Sequence, residues 1–282
     1  MIAGDASVEG CQSSRLSEKV RAFYDDQVLL HPDNPAILGV EAGLPADCRD
    51  FFEWQEFNCL VSLHKDMHIL ELGCGGGRWC EHLAAVVERV IGVDLSPNAI
   101  ALAQRNAAAK RLENIEYHVA SIEDFQPQES YDLIYFSGVA LYLDNFSLLE
   151  CLAKFGARLH DSGLVVVRDS VANVSHQLCH DAGYSAQYRT VEEFEQMFST
   201  AEFTLVGHRR AFPRECLSPL LNVWSLQSIY WLTKKLSLEK LLFRMMTQSS
   251  VQGEAAPHWL QDGYSYNHDF LLFARNGGGS LN

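Results

Sequence analysis

The 282-residue sequence has no CxxC pair, no basic-then-apolar leader at its start, and no apolar run long enough to span a bilayer. Each absence narrows the field. Its eight cysteines (11, 48, 59, 74, 80, 151, 179 and 216) are scattered along the chain, which reads as reduced thiols rather than a disulfide framework. Met1-Ile2-Ala3-Gly4-Asp5 carries neither the charge nor the apolar stretch of a secretory signal. Together these point to a cytoplasmic protein. The most apolar stretch, 219–232, contains Asn222, Ser225, Gln227 and Ser228 and is followed by Lys234-Lys235. It is too short and too polar for a membrane span. Positive charge is scarce as well: 22 Lys and Arg face 36 Asp and Glu, a formal net charge of −14. Phosphate binding needs a basic stripe, so a nucleic-acid partner is argued against, and so is an anionic membrane surface. A basic peptide, an amine or a cationic small molecule remains compatible. A hydrophobic content of 48% argues against disorder.

What is present is an alternation of elements, with no internal repeat. Residues 1–14 are small and polar and read as loose, and Gly277-Gly278-Gly279-Ser280 reads as a flexible tail. A helical pattern over 15–28 places Leu16, Val20, Phe23 and Tyr24 on one face, and a second, aromatic-rich one covers 51–64. Strands are predicted at 68–72, 90–94, 115–119, 131–136, 164–167, 203–211 and 264–274. Helices are predicted at 78–87, 97–110, 146–159 and 190–199. Ser96-Pro97 is a helix start with Ser as N-cap, and Thr190-Val191-Glu192-Glu193 fits a capping box. Strands alternating with helices imply a parallel sheet covered on both faces, and the two late strands suggest an antiparallel pair at one side. The division is an N-terminal helical cap, 1–66, and a core, 67–282, with a helical insertion at 213–263. That insertion carries Trp224, Tyr230, Trp231, Phe243, Met245 and Met246. It is core packing, a lid over an apolar acceptor, or a surface for a homodimer.

The chemistry-bearing signal is Ile69-Leu70-Glu71-Leu72-Gly73-Cys74-Gly75-Gly76-Gly77. Glycines between a strand and a helix let a ligand approach the backbone. A dinucleotide GxGxxG would need glycine at position 78, where Arg stands, so the pattern is Glu71-x-Gly73-x-Gly75-x-Gly77. Asp94 follows 21 residues after Gly73, at the end of the next strand, where a carboxylate can accept hydrogen bonds from ribose hydroxyls. With Gly92-Val93-Asp94-Leu95-Ser96, Ala120-Ser121-Ile122-Glu123-Asp124, Tyr131-Asp132-Leu133-Ile134 and the 159–167 segment in order, the chain resembles the class I S-adenosylmethionine-dependent methyltransferases over residues 67–212 and the last strand.

The resemblance implies a Rossmann-like, seven-stranded, mostly parallel α/β sheet with the last strand antiparallel, and S-adenosylmethionine as cofactor. It implies that Gly73, Cys74 and Gly75 line the methionine moiety, that Glu71 supports the loop or the amino group, and that Asp94 holds the ribose. Leu95 and Ile122 would enclose adenine. Ser121, where the family often has an acid, or Glu123 would meet the adenine amino group. Ser137 and Gly138 would lie by the methionine part, and Tyr24 would reach its carboxylate.

The segments after the fourth and fifth strands face the acceptor in such folds. Tyr142 is a candidate for orienting a nucleophile or a cationic amine, or else a half-buried aromatic. Asp169 ends an apolar strand, where it binds an amine, acts as base, caps a helix, or pairs with Arg168 or Arg189. His176-x-x-Cys179-His180, taken as one helix face, yields either a substrate-facing His176 or a histidine that packs in the core or on the surface; with no fourth ligand nearby, no metal site is assigned. The reading reached is transfer of a methyl group to an O or N atom of a small, partly apolar metabolite. Its alternatives are a peptide or protein N-methyltransferase and a non-catalytic cofactor-binding scaffold.

Overall fold

Near-continuous apolar runs such as Leu133-Ile134-Tyr135-Phe136 suit strands buried on both faces. In the computed structural model, which describes residues 6–30, 44–179, 184–211 and 266–276, they are the centre of the fold. The elements in chain order are α1 (Ala6–Leu30), α2 (Leu44–Leu60), β1 (His68–Leu72), α3 (Arg78–Ala84), β2 (Arg89–Asp94), α4 (Pro97–Ala109), β3 (Ile115–Val119), β4 (Tyr131–Ser137), α5 (Asn145–Gly156), β5 (Leu159–Ala172), β6 (His176–Cys179), β7 (Ser185–Tyr188), α6 (Val191–Thr200), β8 (Phe203–Arg210) and β9 (Tyr266–Arg275). A 3-10 turn, Ala140–Tyr142, joins β4 to α5.

Seven strands form one sheet in the order β3-β2-β1-β4-β5-β9-β8. The first five pair in parallel. β9 runs antiparallel between β5 and β8. Alternation along each strand splits the core in two. Leu70, Leu72, Ile134, Phe136, Val165 and Val167 face α5 and α6. Ile69, Leu133, Tyr135 and Val166 face the other way, against Phe57 of α2, Trp79 and Leu83 of α3, and Ile100 of α4. Each fully buried large side chain contributes about 1.5–3 kcal/mol relative to exposure. α2 therefore shares the sheet's own core. α1 instead meets α4, with Val28 packed on Ala99 and Leu102.

Local chemistry sets the helix starts. The Ser96 side chain accepts from Ala99 N at 3.0 Å, with Pro97 at the first helical position. Asp144 caps α5 through Ser147 N at 2.7 Å. Thr190 and Glu193 make the reciprocal capping box of α6.

Four expectations change. α1 begins at Ala6 rather than near residue 15: small polar residues do not break a helix that a downstream amphipathic stretch has nucleated. α2 runs from Leu44 to Leu60 rather than over 51–64, since Pro45 is tolerated in a first turn. β5 is 14 residues long because β9 pairs with it from Leu164 to Ala172. The segment around His176 is a strand, not a helix: β6 pairs with β7, His176 opposite Tyr188 and Cys179 opposite Ser185. Side chains alternate along a strand, so His176 and Cys179 lie on opposite faces and the three-ligand helix face does not exist. His180, the 213–263 insertion with its aromatic set, and the 277–280 tail lie outside the described residues. Among the described residues no helix is long and apolar enough to cross a membrane.

Candidate active site

In an open parallel sheet the loops after two strands whose connections diverge leave a crevice at the carboxyl edge. Here β1 and β4 are neighbours at the centre of the order, and a cavity of about 440 Å³ opens beyond them. Gly73, leaving β1, donates its N–H to Val93 O at 2.7 Å. It holds φ +76°, and a Cβ there would stand 2.0 Å from Val139 Cγ1, so the loop closes only with glycine. Gly75, at φ +52°, lines the cavity, and a Cβ on it would meet nothing within 4 Å. Cys74 lies between them in the same wall.

Asp94, at the end of β2, is bound into this loop. Its Oδ2 accepts Gly75 N at 2.8 Å and its Oδ1 accepts Ser96 N at 2.9 Å. Burial pushes its carboxyl up, while the Ser96 and Gly75 N–H groups pull the other way. An ionised carboxylate has about four acceptor directions, so the N–H groups of Ser96, Gly75 and Leu95 leave acceptor capacity for a ligand. Leu95, Ile122 and Glu123 line the same end, and Ser137 and Gly138 line the wall after β4. Ser121 is also in the wall, but its hydroxyl donates to Asp124 Oδ2 and accepts Asp124 N. Its first role is to close that turn.

Glu71 is not in the wall. It is fully buried beneath the loop, where its Oε2 accepts from the Cys80 thiol at 2.9 Å. Burial pushes its carboxyl up to about 7. Of the two roles expected for it, loop support is the one its position allows.

α1 forms the roof over both ends of the cavity. Asp25 Oδ1 accepts from the Ser96 hydroxyl and, at 3.3 Å, from Asn98 N, beside Asp94. The next residue back, Tyr24, meets Tyr142 with hydroxyl oxygens 2.6 Å apart. Phe23, Tyr24, Tyr142 and Tyr184 make successive edge-on or tilted ring contacts at 5.2–6.0 Å. Burial pushes the Tyr24 hydroxyl up to about 12 and Tyr142 well above its usual value. Both are therefore neutral hydrogen-bonding groups at physiological pH, not bases.

Asp169 lies at the floor of this aromatic end, 1% exposed and in contact with the cavity. Its Oδ1 accepts Ser170 N at 2.7 Å and its Oδ2 accepts Leu141 N at 3.0 Å. Burial pushes its carboxyl up to about 7 against those bonds and the positive field of Arg189. It is thus neither an N-cap nor a direct ion-pair partner of Arg168. His176 is not in the cavity wall. Its ring stacks on Tyr188 at 4.9 Å and its Nδ1 meets Val174 O at 2.8 Å. Strand geometry, which turned the segment into a hairpin, removes it as a catalytic candidate.

Sequence reasoning missed the arginines. Arg49, Arg78 and Arg168 all line the cavity and converge on Glu53 at 2.8, 2.6 and 2.5 Å. Arg78 also pairs with Asp50 at 2.8 Å. Three guanidinium groups thus share two carboxylates, and Arg168 Nε is buried with no hydrogen-bond partner among the described residues. Such an arrangement invites an anion. His268 and Ser170, 3.2 Å apart across β5 and β9, were missed in the same wall. No local pattern marks these residues; they come from four elements, α2, α3, β5 and β9, far apart in sequence.

A family of methyltransferase domains matches residues 63–235, more than half of the chain. The chain belongs to that family. It is an S-adenosylmethionine-dependent methyltransferase of class I. The ubiquinone biosynthesis O-methyltransferase of Bradyrhizobium diazoefficiens is 28% identical to this methyltransferase over 238 residues, 79% of this chain and 90% of that protein. The Nitrobacter winogradskyi protein of the same name is 34% identical over 153 residues, 50% of this chain and 56% of its own. Among solved structures, DhpI bound to S-adenosylhomocysteine is similar at a TM-score of 0.55 and 18% identity, over 70% of this chain and 92% of that one. An S-adenosylmethionine-dependent methyltransferase from Mesorhizobium loti is similar at 0.53 and 17%, over 80% and 98%. These two likenesses concern the fold.

The methyltransferase's residues fit its cofactor. Space stands open over Gly75, Asp94 keeps acceptor capacity beyond its backbone partners, and among the described residues the buried Arg168 Nε has no hydrogen-bond partner.

Proposed function

We propose that this methyltransferase acts on the hydroxyl oxygen of a small, partly apolar aromatic acceptor. The observation that carries the reading is the enclosure of the cavity's far end by Phe23, Tyr24, Tyr142 and Tyr184 over a buried carboxyl, Asp169. A planar ring suits such walls, and about 440 Å³ suits small ligands rather than a folded protein. The curated relatives, named for O-methylation in ubiquinone biosynthesis, favour oxygen over nitrogen.

In this reading Asp94 accepts from the ribose hydroxyls. Leu95 and Ile122 enclose adenine, with Ser121 or Glu123 at its amino group. Gly73, Cys74 and Gly75 line the amino-acid part beside Ser137 and Gly138, and the Arg49–Arg78–Arg168 group receives its carboxylate in place of Tyr24. When bound, S-adenosylmethionine supplies a methyl group on a sulfonium centre, an electrophile that needs no acid assistance. Tyr24 and Tyr142, both neutral, hold the acceptor oxygen in line. Asp169 takes the hydroxyl proton as the O–CH₃ bond forms and the S–CH₃ pair returns to sulfur. Of the segment before the sheet, 1–66, α1 serves as the cap that excludes water, while α2 belongs to the core.

The test incubates purified protein and S-adenosylmethionine with catechols, phenols, amines and a basic peptide array, reading methylated product by mass spectrometry. Methyl ethers from the catechols support the reading. Methylated amine or peptide with no ether overturns it, as does cofactor binding without product from any acceptor.

A further inference from the structure

Tyr142 stands on a 3-10 turn that has no side-chain cap, yet the turn is held from two sides by buried charged groups. On one side Asp169 Oδ2 accepts Leu141 N at 3.0 Å. On the other is Arg189, 1% exposed and foremost among the fully buried side chains. Its Nη1 donates to Ala140 O at 2.8 Å, its Nη2 to Leu143 O at 2.6 Å, and its Nε to Asn145 Oδ1 at 3.0 Å. The two carbonyls flank Tyr142, one on each side in sequence. Arg189 is itself anchored: Ala172 N donates to its carbonyl at 2.9 Å, and it bridges Val171 of β5.

A guanidinium buried this deeply loses its hydration and is retained only if every arm is satisfied. Packing alone does not call for a charge there, because apolar replacement of buried charged groups is often neutral or stabilising. What a rigid fork supplies, and an apolar side chain does not, is fixed geometry at two carbonyl oxygens. Those oxygens set the path of the turn, and the turn sets the place of the Tyr142 hydroxyl, 2.6 Å from Tyr24.

We propose that Arg189 is a positioning residue for methyl transfer: its fork on the Ala140 and Leu143 carbonyls holds the Tyr142 hydroxyl where it aligns the acceptor. This rests on the role given to Tyr142 above. Arg189 touches neither ligand and acts through the turn. A displacement of about 1 Å far from the chemistry can lower turnover about a hundredfold.

The experiment measures kcat and KM with hexylcatechol, S-adenosylmethionine affinity by calorimetry, and melting temperature, in Arg189→Lys, Tyr142→Phe and the double variant. Arg189→Lys keeps the charge and loses the planar fork. It is expected to lower kcat between about tenfold and about a hundredfold, with cofactor affinity unchanged. In the Tyr142→Phe background it is expected to lower kcat no further, the mark of two residues acting as one unit. Unchanged kcat in Arg189→Lys, or the same fall in both backgrounds, overturns the proposal. Wild-type turnover in Tyr142→Phe alone overturns the role of Tyr142, and this inference with it. Should Arg189→Lys fail to fold, Asn145→Ala decides, because Asn145 is exposed and its Oδ1, by holding Nε, fixes the plane of the fork on the two carbonyls. A lowered kcat at unchanged melting temperature supports the clamp; an unchanged kcat overturns it.

Discussion

Replacing Asp94 by Ala tests the cofactor assignment most directly. The carboxylate keeps acceptor capacity beyond its backbone partners, so the substitution removes one or two hydrogen bonds from a charged group to ribose. Bonds of that kind contribute about 1.5–3 kcal/mol each, about 1.5–6 kcal/mol in all, or a factor of roughly 10–10⁴ in Kd. A second effect adds to the first. Gly75 N and Ser96 N lose their acceptor, and the glycine loop loses the tie that shapes it. Stability should change less than binding, because burial already opposes ionisation of this carboxyl. Calorimetric titration with S-adenosylmethionine and S-adenosylhomocysteine, alongside a melting curve, reads all of this. Both ligands carry the ribose, so both should weaken by the same factor. Asp94→Asn, keeping one carbonyl oxygen, should fall between wild type and Ala. A folded Asp94→Ala protein that binds both ligands within about threefold of wild type would refute the ribose contact. Loss confined to the sulfonium form would show instead that the carboxylate reads charge.

Gly73→Ala should weaken cofactor binding and lower the melting temperature, since a left-handed φ costs about 1–2 kcal/mol with a side chain and the new Cβ meets Val139 Cγ1 at 2.0 Å; Val139→Ala in the same protein should restore part of both. With the Asp169 carboxyl pushed up to about 7 and serving as base, kcat/KM should rise with pH to a plateau above about 7, and Asp169→Asn should be slow and flat across that range. Glu71 is raised from 4.5 to about 7, so its contribution to stability is complete below about 4.5 and is lost as pH rises through about 7. Glu71→Gln imitates the protonated form, and its melting temperature relative to wild type should therefore be higher at pH 8 than at pH 6. Glu53→Ala leaves three arginines around a vacated carboxylate position and should cost about 3–5 kcal/mol by denaturant melt, where no change would mean the cluster is solvated.

The glycine loop, Asp94 and the caps at Ser96 and Thr190 were legible because their physics is local. A left-handed turn, a strand end and an N-cap each fit within a few residues. The sheet was legible because strands buried on both faces are apolar at successive positions, as at Leu133-Ile134-Tyr135-Phe136. The β6–β7 hairpin was not. His176, Cys179 and His180 suit a helix face by spacing, and only the partner strand, Ser185–Tyr188, makes the segment extended. The Glu53 cluster was not legible either, because its arginines come from α2, α3 and β5 and are joined only by tertiary packing. Asp169 was singled out correctly as a costly buried carboxyl. Its partners, the N–H groups of Leu141 and Ser170, carry no side-chain signature.

The place of β9 bears on how the chain is made. Phe270, Leu271, Leu272 and Phe273, each at most 4% exposed, fill the sheet between β5 and β8. On a ribosome every strand before β9 emerges first. Until β9 arrives, β5 and β8 each offer an open backbone edge, the kind of surface that recruits other chains. Among the described strands β9 is the last to be made, and it is the one that seals the gap between β5 and β8.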